Sequence, residues 1–133
     1  MSKNKTGALI VIARNSALQL YAETGEIINA NTTTALIESI FFKSNPLHDG
    51  AIIIISDKIF AARCMLPMSQ STEIPGHMGM RHRAGLGMTE HNDSLVLIVS
   101  EETGTVSMAE YGQLTASVSL KQLLKKLNNL KVG

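Results

Sequence analysis

Tryptophan is absent, and two tyrosines and three phenylalanines supply all the aromatic rings of the 133 residues. So thin a supply argues against a single-strand nucleic-acid binder, which stacks bases on aromatic platforms. An excess of charge of one sign is missing too: twelve Lys and Arg face eleven Asp and Glu, a formal net charge of +1. Nucleic-acid or anionic-membrane binding driven by bulk charge is therefore not the expectation. The one cysteine, Cys64, lies in an apolar stretch and has no internal partner for a disulfide, which suits a reducing compartment. No apolar run approaches the ~18 residues of a membrane span, and no signal-peptide pattern opens the chain. Repeats and proline- or serine-rich linkers are also missing, so the length implies one domain with one core.

What is present is a mixture of short apolar runs and amphipathic stretches. "GALIVIA" (7–13), "AIIIIS" (51–56), "IFAARCML" (59–66) and "SLVLIVS" (94–100) read as buried strands, since a sheet covered on both faces needs apolar residues at every position. Asp57-Lys58 between the second and third suits a tight hairpin. "NSALQLYAETG" (15–25) predicts a short helix capped by Asn15 or Ser16 and stopped by Gly25. "NTTTALIESIFF" (31–42) predicts a firmer one, capped by Asn31 or a following threonine, with Leu36, Ile37, Ile40 and Phe41 inward. Residues 67–79 read as a loop. "MRHRAGLGMTE" (80–90) has helical character weakened by two glycines. "TVSMAEYGQL" (105–114) reads as a strand turning at Tyr111-Gly112. The tail from 117 to 130 predicts an amphipathic helix with Leu120, Leu123, Leu124, Leu127 and Leu130 on one side. The expected fold is α/β: one twisted, mixed sheet with helices on both faces, its core spanning about 7–115.

Three polar clusters sit where such elements meet loops. "LHDGA" (47–51) sets His48 and Asp49 before a buried strand. Asp-Gly makes a turn, while imidazole and carboxylate together can bind a metal or move a proton. "GMRHRAG" (79–85) offers Arg81, His82 and Arg83 between glycines; it suits a polyanion, or is two surface arginines around a packed histidine. On a helix the two arginines point roughly 200° apart. "SEETG" (100–104) ends a strand, as a metal-holding pair of carboxylates or a polar turn. His77 and His91 read as surface residues, Met65, Met68, Met78, Met80 and Met88 as flexible gap fillers, and Cys64 as structural.

In this order and spacing, "LHDGA", "RHRA" (81–84) and "SEETG" resemble the catalytic domain of bacterial diadenylate cyclases, and "GALIVI" and "ETG" (23–25) match as well. The chain is most similar to the membrane-anchored class, whose catalytic domain follows N-terminal membrane helices. The resemblance implies condensation of two ATP into cyclic di-AMP with release of two pyrophosphates. It requires a divalent metal (Mn2+, Mg2+ or Co2+) and a homodimer that brings two nucleotides face to face. It implies Asp49 at the ribose 3′-hydroxyl, Gly50 and Ala51 lining the nucleotide, and Arg81, His82 and Arg83 at the phosphates and the apposed subunit. His48 and Glu102 match metal positions, Ser100 and Glu101 lie near the phosphates, and Met65 and Leu66 line the adenine. Met80 stands where the family often has threonine, and Met65 where it often has tyrosine. The full-length protein is expected at the cytoplasmic face of the membrane, within reach of a regulatory protein, with this chain alone soluble. A metal-dependent nucleotide hydrolase and a noncatalytic nucleotide sensor are the rival readings.

Overall fold

The computed structural model describes residues 6–42, 45–72, 74 and 78–132, with side chains through 128. Seven strands form one sheet in the order β2-β4-β3-β1-β5-β6-β7. They are β1 (Ala8–Ile12), β2 (Glu26–Asn31), β3 (Ala51–Ile55), β4 (Lys58–Cys64), β5 (Leu95–Val99), β6 (Val106–Glu110) and β7 (Gln113–Thr115). The central β1 runs parallel to β3, with Ile10 opposite Ile52, and antiparallel to β5, with Ile10 opposite Leu97. The other pairs are antiparallel, so the sheet is mixed, as expected.

Alternation along each strand splits the apolar residues between two faces. Leu9 and Val11, Ala51 and Ile53, and Val96 and Ile98 form one core with residues of α1 (Gln19–Ala22) and α3 (Met80–His91). On the opposite face, α2 (Thr34–Phe41) packs Ile40 and Phe41 against Ala8, Ile52, Ile59 and Ala62. Beside it, α4 (Leu120–Val132) sets Leu123 and Leu127 over Leu95, Leu97 and Met108. Two-sided cover is why the strands read as continuous apolar runs.

Several elements depart from the sequence reading. The helix expected over 15–25 is only the single turn α1, preceded by Leu18 and without a side-chain cap. Asn15 and Ser16 instead give their amides to the Asp93 carboxylate, at 3.1 and 3.0 Å. These bonds, with the Ser16 side chain foremost, hold Asp93 below the usual carboxylate range. The β3–β4 turn is Ser56-Asp57, both with positive φ, and Lys58 already belongs to β4. β2 and β7 have no counterpart in the sequence reading, because "EIINAN" and "QLT" lie at the two sheet edges and carry little apolar signal.

The helix α3 forms in full despite its glycines, and close contacts with β5 and the loop after β4 explain them. A Cβ on Gly85 would lie 2.9 Å from the Ile98 side chain, and one on Gly87 would lie 1.9 Å from the Pro67 carbonyl oxygen. The α2 cap is Thr33, whose hydroxyl accepts from the Leu36 amide at 3.0 Å. On α4, Leu120 and Leu124 are 71% and 50% exposed, so the inward side is narrower than the leucine pattern suggested. Of the five methionines read as gap fillers, only Met88 is buried in the core, whereas Met65, Met68 and Met80 stand exposed. His91 is exposed, and His77 and the side chain of Leu130 lie outside the described residues. No helix among the described residues is long and apolar enough to cross a membrane.

Candidate active site

The N-terminal ends of β1 and β3 and the C-terminal ends of β4 and β5 lie at the same end of the sheet. A cleft of about 790 Å³ opens there, beside the N-terminus of α3. Its lining includes Asp49, Gly50, Met65, Leu66, Arg81, His82, Ser100, Glu101 and Glu102. Segments more than fifty residues apart in sequence thus meet in one concavity. His48, Ala51 and Arg83 do not line it. Ala51 is fully buried beneath it at the start of β3, and the Arg83 guanidinium turns away to donate to the Ser71 carbonyl at 3.1 Å.

The loop before β3 is fixed by Asn45, whose side chain accepts from the Leu47 amide at 3.0 Å and donates to the Ser39 carbonyl at 3.0 Å. That arrangement holds the single 3-10 turn Pro46–His48 and presents Asp49 at the cleft. The next residue has to be glycine. Gly50 has φ +117, and a Cβ there would come within 2.9 Å of the Cys64 carbonyl oxygen. No ion pair holds the exposed Asp49 carboxylate among the described residues. His48 Nδ1 lies 2.8 Å from the Asn45 carbonyl oxygen. A carbonyl only accepts, so the proton belongs on Nδ1 and the Nε2 lone pair is left for a ligand.

Across the cleft, Arg81 occupies the first turn of α3. Its guanidinium rests on Gly7, where a Cβ would fall 2.6 Å from Cζ and Nη1. Glu101 faces it at 3.6 Å, with 28% and 51% of the two side chains exposed. Gly7 escaped the sequence reading as a functional residue; the signal was a glycine placed where an otherwise apolar strand begins. After β5, the Ser100 hydroxyl accepts from the amides of Glu102 and Thr103, at 3.3 and 3.4 Å. "SEETG" is therefore a tight polar turn and part of the cleft lining at once. At the other end, Thr24 accepts from the Met65 amide at 2.8 Å and ties "ETG" to "CML". Thr24 and Gly25 of the matching "ETG" also line the cleft, as do Glu26 and Arg63, which were not singled out from sequence. Cys64 forms part of its floor, and burial pushes its thiol up to about 11, so it stays protonated and inert near neutral pH.

The lining is graded. Cys64, Met65, Leu66 and Met68 make it more apolar at the end of β4, although Glu26 and Arg63 add charge there, while Arg81, Ser100, Glu101 and Glu102 make it polar toward β5. Its charged side chains are the carboxylates of Glu26, Asp49, Glu101 and Glu102 against the guanidiniums of Arg63 and Arg81. Among the described residues, no three His, Cys, Asp or Glu side chains gather to hold a metal ion by themselves. A hard divalent cation held by one or two carboxylates and completed by phosphate oxygens fits this donor set.

A covered mixed sheet with a graded cleft at its strand ends defines an α/β domain built to take a ligand that is apolar at one end and charged at the other. Residues 1–114 match the family model DAC, described as DisA bacterial checkpoint controller nucleotide-binding. The chain is 47% identical over 114 residues to the diadenylate cyclase CdaS of Bacillus thuringiensis, covering 86% of this chain and 57% of that protein. It is 44% identical over 128 residues to the cyclic di-AMP synthase CdaA of Bacillus subtilis, covering 94% of this chain and 47% of that protein. The crystal structure of a DacA double mutant from Staphylococcus aureus superimposes with a TM-score of 0.97 at 41% identity, over 100% of this chain and 89% of that one. The chain belongs to the DAC family. It spans about half the length of the two cyclase relatives.

Proposed function

We propose that this chain is a catalytic domain that joins two ATP molecules into cyclic di-AMP and releases two pyrophosphates. The observation that carries the reading is the convergence of Asp49, Arg81 and the Ser100–Glu102 turn around one graded cleft. The catalytic unit in this reading is the sheet with its helices, about 7–115, and α4 packs behind it.

The base lies at the apolar end, by Met65 and the Leu66 backbone, and the triphosphate lies toward Arg81 and Ser100. The fork of Arg81 offsets phosphate charge, and the N-terminus of α3 favours an anion beside it. Asp49 sits beside the ribose and accepts the 3′-hydroxyl proton as that oxygen attacks an α-phosphorus. Two attacks related by symmetry require two clefts facing across a two-fold axis, so the working unit is a homodimer. Catalysis then lies mainly in placing each hydroxyl in line, about 3–3.5 Å from phosphorus, and in neutralising charge. His82 supports the phosphate side, and Arg83, whose guanidinium turns from the cleft, serves the apposed subunit. His48 and Glu102 are the residues that would hold a divalent ion (Mn2+, Mg2+ or Co2+) together with the phosphates, with Glu101 nearby. Such an ion, when bound, neutralises the phosphates and the leaving pyrophosphate. A cleft with four carboxylates and two guanidiniums needs that added positive charge to take a triphosphate. In the longer protein this domain works at the cytoplasmic face of the membrane, anchored by a segment outside the chain and open to a regulatory partner.

Incubation of the purified chain with ATP and each metal in turn, with products identified by mass, tests the reading. Cyclic di-AMP is expected. AMP or another cleaved nucleotide would establish the hydrolase instead, and binding without turnover would establish the sensor.

A further inference from the structure

The strand β4 ends in an irregularity that regular pairing does not need. Its partners step from Ala61 opposite Ile53 to Cys64 opposite Ala51, so β4 carries one extra residue at 62–63. Arg63, inside that bulge, has φ 58, a left-handed conformation that a long side chain rarely adopts. The other non-glycine residues with positive φ, Asn29, Ser56, Asp57, Tyr111 and Ser117, do not line the cleft; Arg63 does.

The bulge is gripped from both sides. A Cβ on Gly25 would fall 2.8 Å from the Arg63 carbonyl carbon, and a Cβ on Gly50 would fall 2.9 Å from the same atom. Two glycines thus let neighbouring strands close on a strained arginine at the rim of the cleft. Strain retained at a cleft points to use of the side chain, because glycine would satisfy the backbone without penalty. That side chain is exposed and has no carboxylate partner among the described residues, unlike Arg81, which pairs with Glu101. Arg63 also belongs to the apolar end of the lining, two residues before Met65. A planar guanidinium without an anion, beside a slot walled by Met65, Leu66 and Met68, is suited to the face of an aromatic ring.

We infer that Arg63 is a nucleotide-contacting residue that covers the open face of the purine, where Met65 supplies only a thioether. The contact rests on the function proposed above, which puts the base at this end. It is electrostatic toward the ring and independent of the phosphates, so it acts on adenosine and ATP alike.

Calorimetric titration of the wild-type chain, Arg63→Ala and Arg63→Gly with adenosine and with ATP tests it. Both variants are expected to lose about fivefold in affinity for each ligand. Arg63→Gly should unfold no earlier than wild type, because glycine relieves the left-handed strain. Wild-type affinity for adenosine in both variants would overturn the inference, and so would a loss confined to ATP, which would make Arg63 a phosphate contact. A wild-type chain that binds both ligands yet forms no cyclic di-AMP sinks the proposed activity and leaves this contact standing. One that binds neither sinks both.

Discussion

Opposite ends of the sheet each carry an arginine–glutamate pair, and the two are built differently. At the C-terminal end of β1, Arg14 meets Glu110 at 2.7 Å, with the side chains 17% and 24% exposed. The same carboxylate takes the Lys126 ammonium from α4, and Arg14 also donates to the Tyr111 hydroxyl at 2.8 Å and lies over its ring. At the N-terminal end of β1, Arg81 meets Glu101 at a loose 3.6 Å in a more exposed setting. The first set ties its charges to one another within the protein, with only Arg14 Nε left over among the described residues, and joins β1, β6 and α4. The second leaves its charges available to a ligand. A chain with an arginine–glutamate pair at each of two sites can therefore commit one to stability and the other to binding, and burial with partner count separates the roles.

The sharpest way to break that contrast is to disable the cleft without touching the fold. Asp49→Asn should lower cyclic di-AMP formation by about 10²–10⁴-fold, in the range of a lost general base. Its unfolding midpoint should match wild type; near-normal initial rates would remove Asp49 from the chemistry. Gly7→Ala should raise the ATP concentration needed for half-maximal rate by roughly tenfold, since the added methyl displaces the Arg81 guanidinium. In an Arg81→Lys background the same change should cost little, and equal losses in both backgrounds would show that Gly7 acts elsewhere.

Changes at the opposite end should show up in stability and not in rate. Glu110→Gln is expected to lose about 1–2 kcal/mol, discounted from the value for a fully buried pair because its partners are partly exposed. Urea unfolding at pH 7 measures this. Burial by itself would raise Glu110, but hydrogen bonds and charge from Lys126 and Arg14 prevail and hold it below the usual range. A depressed folded-state pKa gives stability that is complete above the ordinary value of 4.5 and drains away as pH falls through the folded value. The Gln variant should therefore show a flatter acid dependence than wild type. The smallest effect belongs to Glu101→Gln, which frees Arg81 from an exposed pair worth about 0–1 kcal/mol. Stability should barely move, and nucleotide affinity should shift by no more than a few fold, less so at high salt.

The legibility of the sequence followed burial. The runs "ALIVI", "AIIII" and "LVLIV" are apolar at every position because helices cover both sides, and that pattern survives without coordinates. The edge strands β2 and β7 do not show it, since none of their residues is buried. Gly85 and Gly87 weakened the helix reading of α3 only because the contacts that demand them, Ile98 and Pro67, come from elsewhere in the chain. In the cleft, the three motifs were visible as clusters of reactive types, and family resemblance supplied their order. Gly7 and Thr24 entered only inside the matching runs "GALIVI" and "ETG", and Arg63 was not visible. Their roles consist of a neighbour's guanidinium, a distant amide and a dihedral angle, none of which leaves a trace in local residue type.

By itself the sequence determined the layering of this protein, because covering a sheet on both faces dictates which stretches must be apolar, and it placed the reactive residues at the ends of those stretches. Only the tertiary structure decided which of them share a cleft. That choice depends on strand order and on close approach at a few glycines, and both are set by contacts between residues far apart along the chain.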